Sequence, residues 1–194
     1  MFDIILASKS KVRLDILNKN NVICSAKPSN VDEDEIKISM LKDGASPKDV
    51  SKNLAEIKAN KVSQNHLDKI VIGADSVIDL ENEIISKPKN RSEALEILRK
   101  LNGKTHFLIS SVCISKNGSM IWHYTDKAEL KMKTMTENEL KLYLSKIEDE
   151  KLYAYNVYQI EGEGKNLFNS IKGDMDTIMG LSIKKIKEYL SNLK

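Results

Sequence analysis

Two rhythms of apolar residues take turns along the chain. Ile4-Ile5-Leu6-Ala7 is a short apolar run that ends in Ser8-Lys9-Ser10, which predicts a buried strand entering a loop. Val12, Ile16 and Leu17 then share one side of a first helix, and a second strand is predicted around Val22 to Ala26. The polar, acidic stretch from Val31 to Glu35 reads as a loop. Ser46-Pro47 opens a long helix, with serine as N-cap and proline in the first turn, and Val50, Leu54, Ile57 and Lys61 follow at helical spacing. Ile70 to Ala74, within Lys69 to Leu80, is β-branched and almost wholly apolar, the pattern of a strand covered on both faces.

The second half continues the alternation. Asn90-Arg91-Ser92-Glu93 resembles a capping box and opens a helix to about Leu101, which Asn102-Gly103 ends. Thr105 to Ser115 and Met120 to Met132, joined through Asn117-Gly118, predict a β-hairpin. Thr136-x-x-Glu139 is another capping box, for a helix to about Lys146. Short strands are expected near Val157 to Ile160 and Leu167 to Ile171. A last amphipathic helix sets Ile183, Ile186, Leu190 and Leu193 together, with Ser182 as its N-cap. Helices and strands alternate without repeat or linker, so the class is α/β and residues 1–194 are read as a single domain.

Composition narrows the function. The chain has 194 residues, enough for one sizeable domain or two closely joined lobes. Its net charge is only +3, from 31 basic and 28 acidic residues, which argues against a dedicated nucleic-acid binder. Cys24 and Cys113 fit no metal or disulfide pattern and are expected as buried free thiols. The longest apolar runs are strand-sized, so no membrane span is expected. The start, Met1 to Leu6, carries an early acid and no basic stretch, unlike a signal peptide; the expected location is the cytoplasm.

Several residues are candidates for chemistry, and each has a plain structural reading beside it. Ser8-Lys9-Ser10-Lys11-Val12-Arg13 leads a strand into a helix N-terminus, where free N–H groups, two hydroxyls and a guanidinium favour an anion; the alternative is simple capping by Ser10 beside a solvated basic face. Asp75 follows the Ile70–Ala74 strand, where α/β folds place ligands, and otherwise is a turn former. Lys87, held extended by Pro88, and Lys58, at the edge of its helix's apolar stripe, are phosphate counter-charges or ordinary surface lysines. The cluster Asp32-Glu33-Asp34-Glu35 offers a Mg²⁺ ligand or is a charged loop. Gly103-Lys104-Thr105 has the tail of a P-loop, but the earlier glycine would fall on Leu98, so that motif fails. His66, His106 and His123 show no ligand spacing and are read as structural, and Trp122 and the tyrosines lack the basic interleaving of a single-strand binder.

Taken in order, these fragments resemble the Maf family. Ile5-Leu6-Ala7-Ser8-x-Ser10-x-x-Arg13 is similar to its N-terminal signature, Val31-Asp32-Glu33 to its acidic loop, and Lys58-Ala59 to its helix lysine. Gly73-Ala74-Asp75-Ser76-Val77 resembles its central Gly-Ala-Asp-Thr-Val. Lys87-Pro88, Ala94 to Leu101, Gly103, Thr105-His106, Ile160-Glu161-Gly162, Ile171-x-Gly173 and Gly180-Leu181 complete the match over almost the whole chain. The resemblance implies an elongated, twisted mixed sheet flanked by helices, with two lobes and a central cleft, similar to the inosine-triphosphate pyrophosphatases. It implies hydrolysis of nucleoside triphosphates to monophosphate and pyrophosphate with a divalent cation, Mg²⁺ or Mn²⁺. Asp75 matches the general base, and Asp75 with Glu33 the metal ligands. Ser8, Ser10, Arg13, Lys58, Ser76, Lys87 and Glu161 become candidate substrate contacts. A regulator of cell division or septum formation that senses nucleotide without turnover is the rival reading, and a homodimer is expected by base rate.

The departures are specific. Lys11-Val12 stands where the family has Pro-Arg, Ser76 where it has threonine, and Ser182 where it has proline. Tyr153-Ala154-Tyr155-Asn156-Val157-Tyr158 replaces Asp-Lys-Ala-Gly-x-Tyr, so one cationic contact has no counterpart there. Ile160-Glu161-Gly162 replaces Ile-Gln-Gly. The family branch acting on thymidine and uridine triphosphates has that glutamine, and the branch acting on 7-methyl-GTP has glutamate, which bears on the base preferred by a chain with Glu161.

Overall fold

The computed structural model describes residues 3–193, without the side chains of Ala154 and Tyr155. Met1 and Phe2, part of the leader-peptide reading, lie outside the described residues. The first strand, β1 (Ile4–Leu6), runs parallel to both β2 (Cys24–Ala26) and β3 (Ile70–Leu80), with Ile4 opposite Cys24 and Ile70. A short β4 (Glu83–Ile85) folds back antiparallel on the end of β3. With β5 (Thr105–Lys116), β6 (Ser119–Met132) and β7 (Phe168–Lys172), the order across the seven-stranded sheet is β2-β1-β3-β5-β6-β7. β6 and β7 are antiparallel, so the sheet is mixed. Asn117 and Gly118 both take positive φ, 52° and 82°, which is what the tight β5–β6 turn demands.

Side-chain alternation covers the sheet on both faces. Ile4, Leu6, Ile70, Ile72, Ala74, Val112 and Ile114 point one way, against Ile16 and Leu17 of α1 (Lys11–Lys19). Leu181 and the α8 (Ile183–Asn192) residues Ile183 and Ile186 pack on the same side. Ile5, Ala7 and Val71 point the other way, against Val62 of α3 (Pro47–Gln64). Ser46 is the α3 N-cap and Pro47 lies in the first turn, as the sequence predicts, and Asp49 closes a capping box with Ser46.

Several elements differ from the sequence reading. The acidic stretch is not a loop but the first turn of α2 (Glu33–Lys42), with Asp32 as N-cap accepting from the Glu35 N–H. Three acids beside the positive end of a helix dipole favour that helix rather than oppose it. β3 does not stop at Ala74 but continues to Leu80, so Asp75 lies within the strand and not after it. Val157 to Ile160 forms no strand; it follows α6 (Asp149–Tyr155) and leads into a 3₁₀ turn over Glu163–Leu167. Ser182 precedes α8 without a side-chain cap; its hydroxyl lies 3.0 Å from Thr177 Oγ1 instead. At α4 (Arg91–Leu101), Asn90 caps as expected, but Glu93 reaches back to the Lys89 N–H rather than to that of Asn90. The Thr136–Glu139 box closes on both sides and starts α5 (Glu137–Ser145). A one-turn α7 (Met175–Ile178) was not anticipated. Cys113 is buried, but Cys24 is only half-buried.

The chain resolves into two compact units: Met1–Ser76 with Ile109–Lys127 and Asp174–Lys194, and Val77–Leu108 with Ala128–Gly173. The first unit has the two-faced core just described. The second packs Leu80, Leu98, Leu101, Leu130, Met132, Leu140 and Leu152, all fully buried. No helix among the described residues is long and apolar enough to cross a membrane.

Candidate active site

The site begins with a close approach of α3 to β3. A Cβ at Gly73 would lie 2.2 Å from the Ala55 carbonyl oxygen and 2.8 Å from the Ala59 Cβ, so glycine is what lets the helix seat there. The buried face of α3 runs through Val50, Leu54, Ala55, Lys58, Ala59 and Val62. Lys58 is thus not at the stripe's edge but within it, and it is buried at 5% exposure. The seating places its ammonium beside the residue two positions after Gly73 on the same strand face. Lys58 Nζ donates to Asp75 Oδ1 at 2.8 Å and pairs with Glu33 Oε1 at 2.9 Å. Ser51 Oγ, on the same helix, donates to the Asp75 backbone carbonyl at 3.2 Å. One lysine between two carboxylates leaves a net negative charge. Asp75 Oδ2 is buried and has no hydrogen-bond partner among the described residues. A buried carboxylate oxygen without a donor is uncommon in a purely structural ion pair.

Arg13 approaches β3 from the opposite face. Its Nη1 donates to the Ala74 carbonyl at 2.8 Å and to Ser8 Oγ at 3.4 Å. Its Nη2 donates to Ser76 Oγ at 3.1 Å, and its Nε to the Gly180 carbonyl at 3.0 Å. Burial draws the guanidinium below its usual range, while the charges of Asp75 and Glu33 draw it up; it stays a cation at neutral pH. Ser10 turns out to be the α1 N-cap, accepting from the Arg13 N–H at 3.3 Å, and Ser8 Oγ accepts from the Ser10 N–H at 3.2 Å. The structural and the anion-binding readings of Ser8-x-Ser10-x-x-Arg13 therefore coexist: the hydroxyls order the turn and the arginine that follows it.

Seven of the candidates, Ser8, Ser10, Arg13, Glu33, Lys58, Asp75 and Ser76, belong to the first unit and gather around residues 74–76 of β3 or the turn that leads into α1. Lys87 and Glu161 belong to the second unit, and both are exposed. Lys87 lies between β4 and the buried Pro88, and Glu161 sits in the turn before the 3₁₀ segment. Sequence reasoning passed over Ser110 and Thr177. Ser110 Oγ lies 2.9 Å from Ser76 Oγ and donates to the Thr177 carbonyl at 2.7 Å. The signal was a pair of serines, Ser110-Ser111, inside an otherwise apolar strand.

The histidines stay out of this chemistry. His106 is fully buried in the second unit, its Nε2 2.8 Å from the Tyr158 hydroxyl and its ring against Tyr158 and Phe168. Burial pushes it down to about 4, so it is neutral at physiological pH. No group of three His, Cys, Asp or Glu with metal-ligating geometry occurs among the described residues.

Fold and site together define a mixed-sheet α/β protein with a carboxylate–lysine centre on one face of a strand and an arginine–hydroxyl centre on the other. Residues 3–193 match the Maf-like protein family, and the chain belongs to it. It is 67% identical over 192 residues to a nucleoside triphosphate pyrophosphatase of Pelagibacter ubique strain HTCC1062, covering 99% of this chain and 98% of that one. It is 36% identical to a 7-methyl-GTP pyrophosphatase of Rhizobium etli, over 92% of this chain and 89% of that protein. Among solved structures it is similar to the Ham1 protein of Staphylococcus aureus, with a TM-score of 0.46 and 13% identity over 99% and 100% of the two chains.

Proposed function

We propose that this protein is a nucleoside triphosphate pyrophosphatase, which hydrolyses its substrate to nucleoside monophosphate and pyrophosphate. The observation that carries the site assignment is the asymmetry of Asp75: Oδ1 is held by Lys58, and Oδ2 is buried with nothing donating to it. That oxygen is a buried acceptor that no donor among the described residues satisfies. In the proposed step, a water oxygen bonds to the α-phosphorus, the bond from that phosphorus to the β-bridging oxygen breaks, and the water proton passes to Asp75 Oδ2. Pyrophosphate leaves with the electron pair.

The residues fit a divalent cation. Mg²⁺ commonly takes one or two carboxylates and completes its shell with substrate phosphates and water, and Asp75 and Glu33 supply two carboxylates across Lys58 with negative charge to spare. Mg²⁺ or Mn²⁺ held there would acidify a bound water and offset phosphate charge. A free aspartate, with a pKa of about 3.9, is otherwise a weak base at neutral pH. Lys58 fixes the Asp75 carboxylate, and Arg13 and Lys87 supply positive charge to the phosphates.

The proposed setting is the cytoplasm, the proposed role is clearing non-standard or modified nucleotides, and the proposed assembly is a homodimer, which light scattering checks. The deciding experiment is pyrophosphate release over a nucleotide panel with Mg²⁺ or Mn²⁺, with products read by ³¹P NMR. Monophosphate and pyrophosphate are expected. Diphosphate and orthophosphate would put water on the γ-phosphorus and overturn the site. Tight binding without turnover would favour the nucleotide-sensing reading.

A further inference from the structure

Hydrogen counting fixes the direction of every bond between Arg13 and the turn before α8. A carbonyl only accepts, so the single hydroxyl hydrogen of Ser110 goes to the Thr177 carbonyl at 2.7 Å. Ser110 then has only lone pairs to offer Ser76, so Ser76 is the donor in the 2.9 Å contact between them. Ser76 has in turn spent its hydrogen, and one of its two lone pairs receives Arg13 Nη2 at 3.1 Å. The line runs one way: Arg13 to Ser76 to Ser110 to Thr177.

The same turn is held at further points. Arg13 Nε donates to the Gly180 carbonyl at 3.0 Å. Thr177 Oγ1 donates to Asp126 Oδ2 at 2.7 Å, so Ser182 must donate to Thr177 Oγ1 at 3.0 Å. Gly180, at a φ of 90°, lies directly on the pair: a Cβ there would stand 3.0 Å from Ser76 Oγ and 3.3 Å from Arg13 Nε and Nη2.

A guanidinium has five N–H donors in one plane. Those of Arg13 go to Gly180, Ala74, Ser8 and Ser76, and one Nη2 hydrogen remains without an acceptor among the described residues. The two Nη2 hydrogens are rigidly related, so whatever fixes the one on Ser76 also fixes the direction of the other. We propose that Ser110 is a positioning residue: acting through Ser76, it aims the last unspent N–H of Arg13 at a phosphate group of the substrate. Ser110 itself touches no substrate. The inference rests on the pyrophosphatase reading for the identity of the anion, but its geometry does not depend on turnover.

The test is a double-mutant cycle on Ser110 and Ser76, read in two ways: KM and kcat for the preferred triphosphate, and the calorimetric Kd for inorganic pyrophosphate. Ser110→Ala removes both the bond to Ser76 and the bond to the Thr177 carbonyl; with Ser76 no longer held, pyrophosphate binding should weaken and KM rise roughly fivefold, with kcat changed less. In a Ser76→Ala background the same substitution should do almost nothing, because the line is already cut. Ser110→Thr, which keeps the hydroxyl, should recover most of the loss. Ser182→Ala removes a hydroxyl from the same turn but off the Arg13 line, and should leave the pyrophosphate Kd within about twofold. Additive effects of Ser110→Ala and Ser76→Ala, or an equal loss from Ser182→Ala, would overturn the inference and point to general loosening. A wild-type protein that binds pyrophosphate with the expected coupling but turns over no nucleotide would overturn the activity and leave the positioning role standing.

Discussion

Arg13 bonds the two β3 residues that flank Asp75, and does so from the face opposite the Asp75 side chain. Arg13 takes the Ala74 carbonyl and the Ser76 hydroxyl, while the Asp75 side chain between them turns to α3 and Lys58. Alternation along β3 makes this separation unavoidable. The carboxylate centre and the arginine centre are therefore close in chain position but anchored by different elements, and substitutions in each should be separable.

Asp75→Asn is expected to lower kcat by at least ~10²-fold, the scale of removing a general base. The amide can keep an oxygen facing Lys58, but its nitrogen cannot take a proton or bind a metal well. Nucleotide binding, measured by calorimetry, should persist. Near-normal turnover in the purified variant would remove Asp75 from the chemistry.

Lys58→Met should destabilise the fold as well as the reaction. Both side chains of the pair are 6% exposed, so the variant leaves the Asp75 carboxylate buried and unpaired. Breaking such a pair costs about 3–5 kcal/mol. Glu33, at 43% exposure, cannot compensate. Urea denaturation checks this, and adding Asp75→Asn to Lys58→Met should recover part of the loss. Equal stability of Lys58→Met and wild type would mean that the pair carries no such cost.

Arg13→Ala and Lys87→Ala should part company. In the proposed site each removes a phosphate counter-charge, for which a loss of roughly 1.5–3 kcal/mol in kcat/KM is expected, the scale of a charge-assisted contact. Arg13 also satisfies two backbone carbonyls, Ala74 and Gly180, so its removal should lower the melting temperature too. Lys87 is exposed, so its loss should lower melting less than loss of Arg13 does. Unchanged kcat/KM in both variants would return the two residues to structural and surface roles.

Much of this was legible because it is local. Ser46-Pro47, Thr136-x-x-Glu139 and Asn117-Gly118 mark element ends through bonds spanning three or four residues, and the structure forms them as read. The strands of the first unit follow from their apolar runs. Asp75 was misplaced because a charged residue in an apolar run resembles the end of a strand; here it is a carboxylate inside β3, made tolerable by Lys58. α2 was hidden because Ile36, Ile38, Met40 and Leu41 form no stripe, and the helix has no buried residue. Its start is set by the Asp32 cap, the helix dipole and the Glu33–Lys58 ion pair, none of which periodicity reports. Three of the four residues that accept from the Arg13 guanidinium lie 61, 63 and 167 positions away, beyond anything periodicity can report.

His106 should give stability a pH dependence with a definite sign. Its pKa falls from the usual 6.5 to about 4 on burial. Between those values the unfolded chain binds a proton that the folded chain excludes, so stability rises with pH across the window and is lost as pH falls through it. The shift corresponds to about 3 kcal/mol. His106→Phe removes this titration and leaves the Tyr158 hydroxyl without its partner, an offset that is constant over the window. Chemical denaturation from pH 7 to pH 4 should show wild type losing about 3 kcal/mol more than the variant. Parallel curves would mean that His106 can be protonated in the folded state.

In the proposed site the base preference is expected to turn on Glu161. It is exposed in the turn before the 3₁₀ segment, where a ligand can reach it. An ionised carboxylate only accepts hydrogen bonds, whereas a glutamine both donates and accepts. The O2 and O4 atoms of uracil and thymine are acceptors and would be repelled. Guanine presents its N1–H and N2 amino donors, and cytosine its N4 amino group. A guanine-, modified-guanine- or cytosine-bearing triphosphate is therefore expected to show a higher kcat/KM than dTTP or UTP. Glu161→Gln should narrow that gap, because the amide can turn its nitrogen to a pyrimidine carbonyl. A substrate panel on both proteins decides the matter. Highest kcat/KM for dTTP or UTP in the wild type, with no change in Glu161→Gln, would show that Glu161 does not meet the base.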